Sequence, residues 1–379
     1  MVVSLLPANY HPSIAEACIE TGVNMTTASY ISPKMRKLAE PAEKAGVVII
    51  NECGVDPGID HMSAMRVIDN VRKRGGRIIS FMSYCGGLPA PDANDNPFGY
   101  KFSWAPRGVL SAGKQHGRYL RDGEEIFIPG NELFSHYWTL DIPPIGKLEA
   151  YPNRNSLEYL DTYSLTNAHT MFRGTLRYPR WCDTMKAIAD IGYLDETEYD
   201  FQGKTYWDLA ASFAGNCDSE CARSGIAGKL GISVDSDILN RLEWLGLFSN
   251  EPLPNERGAP IDVLTARMEE KMPYKTGERD MIVMKHFFRA EFPNGAIEEI
   301  TSTLIDYGNI ETGDSSMSRT VSLPLAAATK MVLEGAFNQP GVHIPVIPEL
   351  YQPILSELET LGIKCVEETS SSNCSLNYR

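Results

Sequence analysis

The chain has 379 residues, of which 43% are hydrophobic and 22% are charged, and its formal net charge at pH 7 is −14. The length predicts two or three domains, because a single hydrophobic core rarely grows beyond about 250–300 residues. The acidic balance argues against binding to nucleic acid or to anionic membrane surfaces, which attract clustered Lys and Arg. No apolar run reaches the ~20 residues that span a bilayer, and the start of the chain lacks a signal peptide pattern. We therefore expect a cytoplasmic protein.

Eight cysteines without regular spacing indicate a reducing compartment rather than a disulfide framework. Cys217 and Cys221 lie four residues apart in a polar, helix-like segment, and no histidine stands near them. Two unrelated thiols explain this spacing better than a metal site does. The sequence therefore predicts no metal site.

The N-terminal part alternates between strand-like and helix-like segments. In chain order these are Val2–Leu6, Pro12–Thr21, Asn24–Ala28, Lys34–Ala45 and Val47–Ile50. Both predicted helices end at a glycine, Gly22 and Gly46, which is a common C-terminal stop. This alternation is typical of a parallel, doubly wound sheet. Because Met1 directly precedes a strand and no G-x-G-x-x-G occurs in the chain, we expect a partial Rossmann-like sheet without its first strand, glycine-rich turn and helix.

The later segments differ in character along the chain. A helix is predicted at 62–74, strands and turns dominate to about 178, and the segment from 180 to 275 is helical and charged. Strands return at Asp280–His286 and Ile297–Ile305, followed by helices at Ser322–Glu334 and Leu350–Leu361 and a short strand at 364–366. The Ser/Asn-rich tail from Glu367 is predicted to be disordered.

Two stretches have the composition of ligand-binding turns. Residues 51–61, Asn-Glu-Cys-Gly-Val-Asp-Pro-Gly-Ile-Asp-His, follow a predicted strand and precede a helix. Such a turn brings backbone amides and the Asp56 carboxylate to the carboxyl ends of strands, where open α/β sheets bind ligands. Residues 83–91, Ser-Tyr-Cys-Gly-Gly-Leu-Pro-Ala-Pro, are predicted to end the strand Arg77–Tyr84 in a rigid turn. Together the two turns indicate an enzyme site.

In both stretches the chain resembles the saccharopine dehydrogenase family of the glutamate-forming type, also called saccharopine reductases. The likeness continues in further blocks at residues 96–104, 151–154, 173–178, 243–247 and 277–281. The blocks follow one another in order, and the resemblance extends from residue 1 to about residue 366. So many blocks in one order argue against a chance resemblance.

The resemblance implies an α/β fold that combines a partial Rossmann-like parallel sheet with a mixed α+β domain carrying a helical insert. It also implies that the C-terminal helices return to the first domain. The expected domains are an incomplete nucleotide-binding domain at 1–61 and 321–366, a substrate and dimerisation domain at 62–179 and 276–320, a helical subdomain at 180–275, and a disordered tail at 367–379.

The reaction that the resemblance implies is hydride transfer between NADP(H) and saccharopine in lysine metabolism. In the synthetic direction, 2-aminoadipate 6-semialdehyde and glutamate condense to an imine, which is then reduced. NAD is the alternative cofactor, as in lysine-degrading relatives, because the strand that selects between the two is expected to be missing. A different alternative is a catalytically incompetent fragment that acts as a dimerising module. The resemblance also implies a homodimer.

For proton transfer, the resemblance points to Asp56, Tyr30 and Cys85, and the residues alone do not choose among these groups, water and the substrate amine. Taken alone, Asp56 is a turn acid or helix N-cap, and Cys85 is a small buried apolar group. His61 is a further candidate, because an unperturbed imidazole changes charge near neutral pH, but a histidine at a helix start is more often structural.

Carboxylates of the substrate call for arginine, whose planar guanidinium binds them in bidentate fashion. Arg154 and Arg177 are the best candidates, with Arg173 behind them. Arg173 and Arg177 lie four apart in a strand-like run and therefore project from the same face. A surface salt bridge is the alternative for these arginines. The remaining substrate contacts implied by the resemblance are Ser29, Tyr30, Asp56, Thr175 and Leu176.

For the cofactor, the resemblance implies a set of contacts from several segments of the chain: Leu6, Tyr30, Asp56, Pro57, Gly58, Ser103 and Trp104. Leu6 ends the first predicted strand, where related enzymes place a ribose. Ser103 and Trp104 belong to a loop that the resemblance places over the nicotinamide. A buried tryptophan without a ligand role is the alternative for Trp104.

Overall fold

The computed structural model describes residues 1–215 and 222–371. Cys217 and Cys221 lie outside these residues. In chain order the strands are β1 (Val2–Val3), β2 (Met25–Thr26), β3 (Val48–Ile50), β4 (Arg77–Pro89), β5 (Gly117–Arg121), β6 (Glu124–Ile128), β7 (Trp138–Ile142), β8 (Gly146–Pro152), β9 (Thr170–Arg177), β10 (Tyr199–Asp200), β11 (Arg257–Gly258), β12 (Asp280–Glu291), β13 (Ile297–Tyr307), β14 (Gly341–His343) and β15 (Val366–Ser371). The α-helices are α1 (His11–Thr21), α2 (Pro33–Arg36), α3 (Ala39–Ala45), α4 (Ile59–Lys73), α5 (Pro106–Ala112), α6 (Glu158–Thr162), α7 (Trp181–Ile191), α8 (Tyr206–Phe213), α9 (Ala222–Leu230), α10 (Asp237–Leu245), α11 (Pro260–Lys271), α12 (Ser316–Leu333) and α13 (Pro348–Thr360).

The chain divides into two compact units. Unit 1 contains residues 1–85, 157–172 and the chain from 281 onward, and unit 2 contains residues 86–156 and 173–280. The α/β class is confirmed, with one parallel sheet and a larger sheet that contains antiparallel pairs. Among the described residues, no helix is both long enough and apolar enough to cross a membrane.

The parallel sheet of unit 1 has the strand order β1-β2-β3-β14. Val2 lies beside Met25, and Thr26 lies beside Ile50. Helices α1 and α3 connect successive strands, as the alternation of the sequence predicts, and both end at a glycine with positive φ, Gly22 and Gly46. The parallel arrangement brings the residues that follow β1, β2 and β3 to one edge of this sheet.

The core beside this sheet is built from small and flexible apolar side chains. Ala15, Met25, Ala42 and Ile49 are completely buried in one cluster. Burying a side chain as large as Met25 or Ile49 stabilises the fold by about 1.5–3 kcal/mol. The small Ala15 and Ala42 let α1 and α3 approach the strands closely, which holds the strand ends in register.

Helices α12 and α13 belong to unit 1 and contact its other elements. The Thr329 hydroxyl of α12 hydrogen bonds to the Thr26 hydroxyl of β2 at 2.8 Å. On α13, the Tyr351 hydroxyl donates to the Asp69 carboxylate of α4 at 2.8 Å. The first contact holds α12 against β2, and the second holds α13 against α4, the helix that follows the turn after β3.

Strands β12 and β13 pair antiparallel along their full length, and β15 adds to the free side of β13. The predicted disorder from Glu367 is therefore wrong for residues 367–371; residues 372–379 lie outside the described part. Glu367 lies beside Ser302, and its carboxylate binds Arg66 of α4 at 2.6 Å. Composition alone predicted disorder because it does not register a partner strand.

Strand β4 is longer than the sequence predicts. It continues from Arg77 through Cys85 and Gly86 to Pro89, so the turn expected at 83–91 is wrong over most of its length. A Cβ atom at Gly86 would lie 2.8 Å from the Leu176 Cβ atom. Glycine is thus required by close strand packing, and the chain turns only after Pro89.

Unit 2 combines antiparallel hairpins with helices α7–α11. Strands β5 and β6 form one hairpin, β7 and β8 form another, and β8 pairs with β9. In the last pair, Glu149 lies opposite Arg177 and Tyr151 opposite Thr175. The Glu149 carboxylate accepts the amides of Arg180 and Cys182 at 2.6 and 2.8 Å, which satisfies the start of α7. This links the register of β9 to the position of α7.

Candidate active site

The turn after β3 is closed by its own backbone. The Gly54 amide donates to the Pro57 carbonyl and the Ile59 amide to the Gly54 carbonyl, both at 2.9 Å. The Gly58 amide donates to the Asp60 carboxylate at 2.5 Å. Gly58 has φ +148, and a Cβ atom there would lie 2.0 Å from the Gly54 oxygen. These amides are used inside the turn, contrary to the expectation that they point to a ligand, so the turn presents side chains instead.

Tyr30 and Asp56 form the central contact of this turn. The Tyr30 hydroxyl donates to the Asp56 Oδ1 atom at 2.7 Å. Tyr30 follows β2 and Asp56 follows β3, and both side chains are half-buried. A phenol and a carboxylate at this distance can share a proton and pass it to a third group. Two of the predicted site residues are therefore joined directly.

Ser29 belongs to a second hydrogen-bonded group in the same unit. His11, at the start of α1, contacts the Ser29 hydroxyl with Nε2 at 2.8 Å and the Ser4 hydroxyl with Nδ1 at 2.9 Å. Burial lowers the pKa of the His11 imidazole. A neutral imidazole can donate with one nitrogen and accept with the other. His11 therefore connects the ends of β1 and β2.

Glu52 and His61 form a buried pair beside the Tyr30–Asp56 contact. Glu52 is 4% exposed and His61 is 0% exposed, and the Glu52 Oε2 atom lies 2.7 Å from the His61 Nε2 atom. The other carboxylate oxygen of Glu52 accepts the Ile31 amide at 2.8 Å. The Tyr163 hydroxyl lies 2.7 Å from His61 Nδ1. His61 is therefore held between Glu52 and Tyr163.

Two exposed leucines follow β1. Leu5 is 80% exposed and Leu6 is 49% exposed, although both are large apolar side chains. At the end of β3, the Asn51 side chain is completely buried, and neither of its polar atoms has a hydrogen-bond partner among the described residues. Exposed apolar groups and unsatisfied buried polar groups are both unfavourable in a free protein.

The cysteines differ in exposure. Cys85 is half-buried and lies within β4 rather than at its end, which corrects the position expected from the sequence. Cys53 is completely buried, and burial raises the pKa of its thiol, with a further contribution from the negative charge of Glu52. Cys53 is therefore inert, whereas Cys85 is accessible in part.

In unit 2, Arg177 lies in an aromatic pocket. Its guanidinium carbon is 4.9 Å from the ring centre of Tyr100 and 5.4 Å from that of Trp181. Burial raises the pKa of Tyr151 to about 12, and the Arg177 charge opposes this rise. We call Arg177, Tyr100, Tyr151 and Trp181 the Arg177 pocket. A buried guanidinium with low-dielectric walls binds an anion more strongly than one in water.

The other predicted substrate residues of unit 2 lie on or near β9. Thr175 is half-buried, and Leu176 is buried. Arg173 and Arg177 are both in β9, at positions of one strand face, as predicted. Arg154 is exposed, with φ +54, in the turn after β8, and its carbonyl accepts the Arg118 amide at 2.8 Å.

Ser103 and Trp104 precede α5 in unit 2. Trp104 is 42% exposed, so the alternative of a buried tryptophan does not hold. The predicted site residues are divided between the two units. Those of unit 1 are Leu6, Ser29, Tyr30, Asp56, Pro57, Gly58 and Cys85, and those of unit 2 are Ser103, Trp104, Arg154, Thr175, Leu176 and Arg177.

Sequence reasoning missed the contacts of Glu52 and His11. The signal for Glu52 was a charged residue directly after the buried apolar strand Val48–Ile50 and Asn51, and His11 gave none.

Two family models match the chain. Residues 54–363 match the saccharopine dehydrogenase C-terminal domain, and residues 1–50 match the saccharopine dehydrogenase NADP binding domain. The chain is 42% identical to saccharopine dehydrogenase (NADP+, L-glutamate-forming) of Saccharomyces cerevisiae, over 97% of this chain and 84% of that protein. It is 40% identical to mitochondrial alpha-aminoadipic semialdehyde synthase of Bos taurus, over 96% of this chain and 40% of that protein.

Solved structures agree with these relations. Apo saccharopine dehydrogenase (L-Glu forming) from Saccharomyces cerevisiae matches with a TM-score of 0.89 at 41% identity, over 97% of this chain and 84% of that one. Homospermidine synthase of Legionella pneumophila matches with a TM-score of 0.53 at 10% identity, over 100% of this chain and 78% of that one, which is a likeness of fold alone. From the two family models and the 42% identity across nearly its whole length, the chain belongs to the saccharopine dehydrogenase family.

Proposed function

We propose that this protein is an oxidoreductase of lysine metabolism that interconverts saccharopine with L-glutamate and 2-aminoadipate 6-semialdehyde, using NADP(H). Family membership supports the reaction, since fungal relatives at 42% and 39% identity carry the name saccharopine dehydrogenase (NADP+, L-glutamate-forming). The observation in the structure that carries the proposal is the Tyr30–Asp56 hydrogen bond at the carboxyl ends of parallel strands. That edge is where open α/β sheets bind ligands.

The residues at this edge fit a dinucleotide. Leu5 and Leu6 offer exposed apolar surface after β1, and such surface is suited to cover a ribose or a flat ring. In the part of the chain that the structure describes, the Asn51 side-chain amide after β3 has no hydrogen-bond partner. We propose that Leu6, Tyr30 and Asp56 hold the cofactor and that Pro57 and Gly58 shape the turn beside it. The cofactor contacts of Ser103 and Trp104 stay a prediction from the family resemblance. When bound, NADP+ supplies the acceptor for a hydride from the substrate carbon.

The Tyr30–Asp56 pair is proposed to move the proton. Saccharopine carries a protonated secondary amine at neutral pH, and its carbon–nitrogen bond can be oxidised to an imine only after the nitrogen loses that proton. Asp56 accepts from Tyr30, so the phenol and the carboxylate form a short relay for this proton. Water then adds to the imine carbon, and release of glutamate leaves the semialdehyde. Cys85 is the alternative group for proton transfer.

The substrate carboxylates are proposed to bind arginines of unit 2. Arg177 is 5% exposed and lies against two aromatic rings, so a carboxylate bound there would be largely removed from water. Arg154 is exposed and is proposed to bind a second carboxylate. Ser29 and Thr175 offer hydroxyl groups, and Leu176 completes the proposed substrate contacts.

The test is the oxidation of saccharopine by the purified protein. We expect NADP+ reduction, followed at 340 nm, to depend on saccharopine and to release glutamate and the semialdehyde in equal amounts. NAD+ at the same concentration should be reduced more slowly. The folded variant Asp56→Asn serves as the negative control. Absence of NADP+ and NAD+ reduction by a folded protein would contradict the proposal.

A homodimer and a cytoplasmic location, both expected from the sequence, are part of the proposal. Sedimentation velocity should give about twice the 42.0 kDa chain mass. A sedimenting species of a single chain at micromolar concentration would contradict the dimer. Cell fractionation should recover the activity with cytosolic markers, and recovery with organelle markers would contradict the location.

A further inference from the structure

The segment that carries Tyr30 is held by Glu52 on both sides. The Glu52 amide donates to the Ser29 carbonyl at 3.2 Å, and the Glu52 carboxylate accepts the Ile31 amide at 2.8 Å. Tyr30 lies between these two residues in sequence. One residue thus binds the main chain directly before and directly after the tyrosine whose hydroxyl contacts Asp56.

The backbone of Glu52 is unusual for its residue type. Its φ is +62, in the left-handed region that side chains other than Asn, Asp and Gly seldom adopt. Such strain persists only where the surrounding structure determines the conformation, and it is often found near functional sites. In this conformation the amide and the carboxylate of Glu52 both meet the 29–31 segment.

His61 fixes the orientation of the Glu52 carboxylate. A carboxylate only accepts hydrogen bonds, so His61 Nε2 donates to Oε2 at 2.7 Å. With a neutral imidazole, Nδ1 accepts from the Tyr163 hydroxyl at 2.7 Å. The His61 ring also stacks on Tyr159, with ring centres 5.7 Å apart and planes 27° apart. The imidazole is thus held from two directions.

From this geometry we propose that Glu52 is a positioning residue for the Tyr30–Asp56 pair, with His61 holding the Glu52 carboxylate in place. The proposal rests on the proposed function, in which Tyr30 and Asp56 move the proton. Glu52 acts through the main chain on each side of Tyr30 and does not itself touch the reacting atoms. Asp56 is held separately, in the turn that the Gly54, Pro57 and Ile59 backbone closes, so Glu52 positions the Tyr30 side of the pair.

Glu52→Ala removes the side-chain contact to Ile31, and Glu52→Gln keeps an oxygen acceptor in the same place. In hydrogen–deuterium exchange, Glu52→Ala should expose the Ile31 amide, whereas Glu52→Gln should retain most of its protection. If Glu52→Ala fails to fold, Glu52→Asp replaces it, because the shorter side chain cannot reach both Ile31 and His61. Unchanged Ile31 exchange in the folded Ala or Asp variant overturns the proposal.

Kinetics separate positioning from general stability. A misplaced proton relay should lower kcat on the order of 100-fold in Glu52→Ala, with a much smaller change in KM. In a Tyr30→Phe background the same substitution should change kcat by less than about 3-fold, because the group that it positions is already absent. Equal fold-losses in the two backgrounds overturn the proposal, and Glu52→Gln should restore most of kcat.

Asp306 supplies the matched control. It is a buried carboxylate of unit 1 that accepts the Ser316 hydroxyl at 2.7 Å. Asp306→Ala should lower the melting temperature without changing kcat or Ile31 exchange; losses like those of Glu52→Ala would overturn the proposal. If the wild type does not oxidise saccharopine, the proposed function fails, whereas the exchange experiment still decides whether Glu52 holds the Tyr30 segment.

Discussion

The Tyr30–Asp56 pair and the Arg177 pocket are built in different ways. Tyr30 and Asp56 lie on short segments after parallel strands, and hydrogen bonds from Glu52 and within the turn hold those segments. Arg177 lies on the eight-residue strand β9, and its position follows from pairing with Glu149 and from aromatic walls. Loops held by a few polar contacts shift readily, whereas a paired strand does not.

This difference indicates separate roles in the reaction. Proton transfer depends on distances that change by tenths of an ångström, so it is sensitive to the contacts that hold a loop. Electrostatic binding of a carboxylate depends on charge and exclusion of water, which a strand and rings provide. We therefore expect damage to the first region to lower kcat and damage to the second to raise KM.

The largest change in kinetic constants is expected for the Tyr30–Asp56 pair. Asp56→Asn and Tyr30→Phe should each lower kcat by about 10²- to 10⁴-fold, because each removes one member of the relay. The KM for saccharopine should change only a few-fold. Steady-state kinetics of folded variants give both values.

Tyr351 and Asp69 form a matched hydrogen bond in the same unit at 2.8 Å. Tyr351→Phe should therefore leave kcat unchanged. An equal loss of kcat in Tyr351→Phe and Tyr30→Phe would mean that Tyr30 acts only through stability.

An intermediate effect is expected for the Arg177 pocket. Arg177→Met should raise the KM for saccharopine roughly 10- to 150-fold, since a charge-assisted hydrogen bond contributes about 1.5–3 kcal/mol. Its kcat should fall far less than that of Asp56→Asn. Arg118, an exposed arginine that pairs with Glu125 at 2.5 Å, provides the control variant Arg118→Met. A KM like that of the wild type in Arg177→Met would show that Arg177 is a structural residue.

The smallest effect is expected from protonation of His11, on the free energy of unfolding. Burial lowers the pKa of His11, so below about pH 6.5 the unfolded chain binds a proton that the folded chain does not. The contribution of His11 to the free energy of unfolding is therefore fully present above this pH and is lost as the pH falls. The loss is at most about 1.4 kcal/mol for each unit by which the pKa of the folded state lies below that of the unfolded state. Urea unfolding at pH 7.5 and 5.5 measures this loss. His11→Gln should lose less stability between these pH values, and an equal loss would contradict the assignment.

The sequence predicted the first three strands of the parallel sheet because their signals are local, but it did not predict the fourth, β14. Each strand and helix is a continuous apolar or amphipathic segment, and Gly22 and Gly46 mark helix ends. The extension of β4 to Pro89 was not predictable in this way, because glycine and proline usually indicate a turn. Only the neighbouring Leu176 shows why Gly86 belongs to a strand.

The candidate site was predictable in its residue types but not in its supporting contacts. Asp56 and Tyr30 follow strands of one sheet, so their proximity could be expected. The contacts of Glu52 with residues 29 and 31 depend on its positive φ, which the residue type does not predict. His11 joins Ser4 and Ser29 from a helix start, and no local pattern marks such a role.

The close approach of Gly86 and Leu176 limits how this protein can be redesigned or can diverge. Any side chain at position 86 would press on both the Cβ atom and the carbonyl oxygen of Leu176, each at 2.8 Å. Leu176 stands between Thr175 and Arg177, so relief of that pressure would move two proposed substrate contacts together. Substitutions at position 86 are therefore not tolerated, and new substrate preferences must arise at side chains that can change without moving the strand.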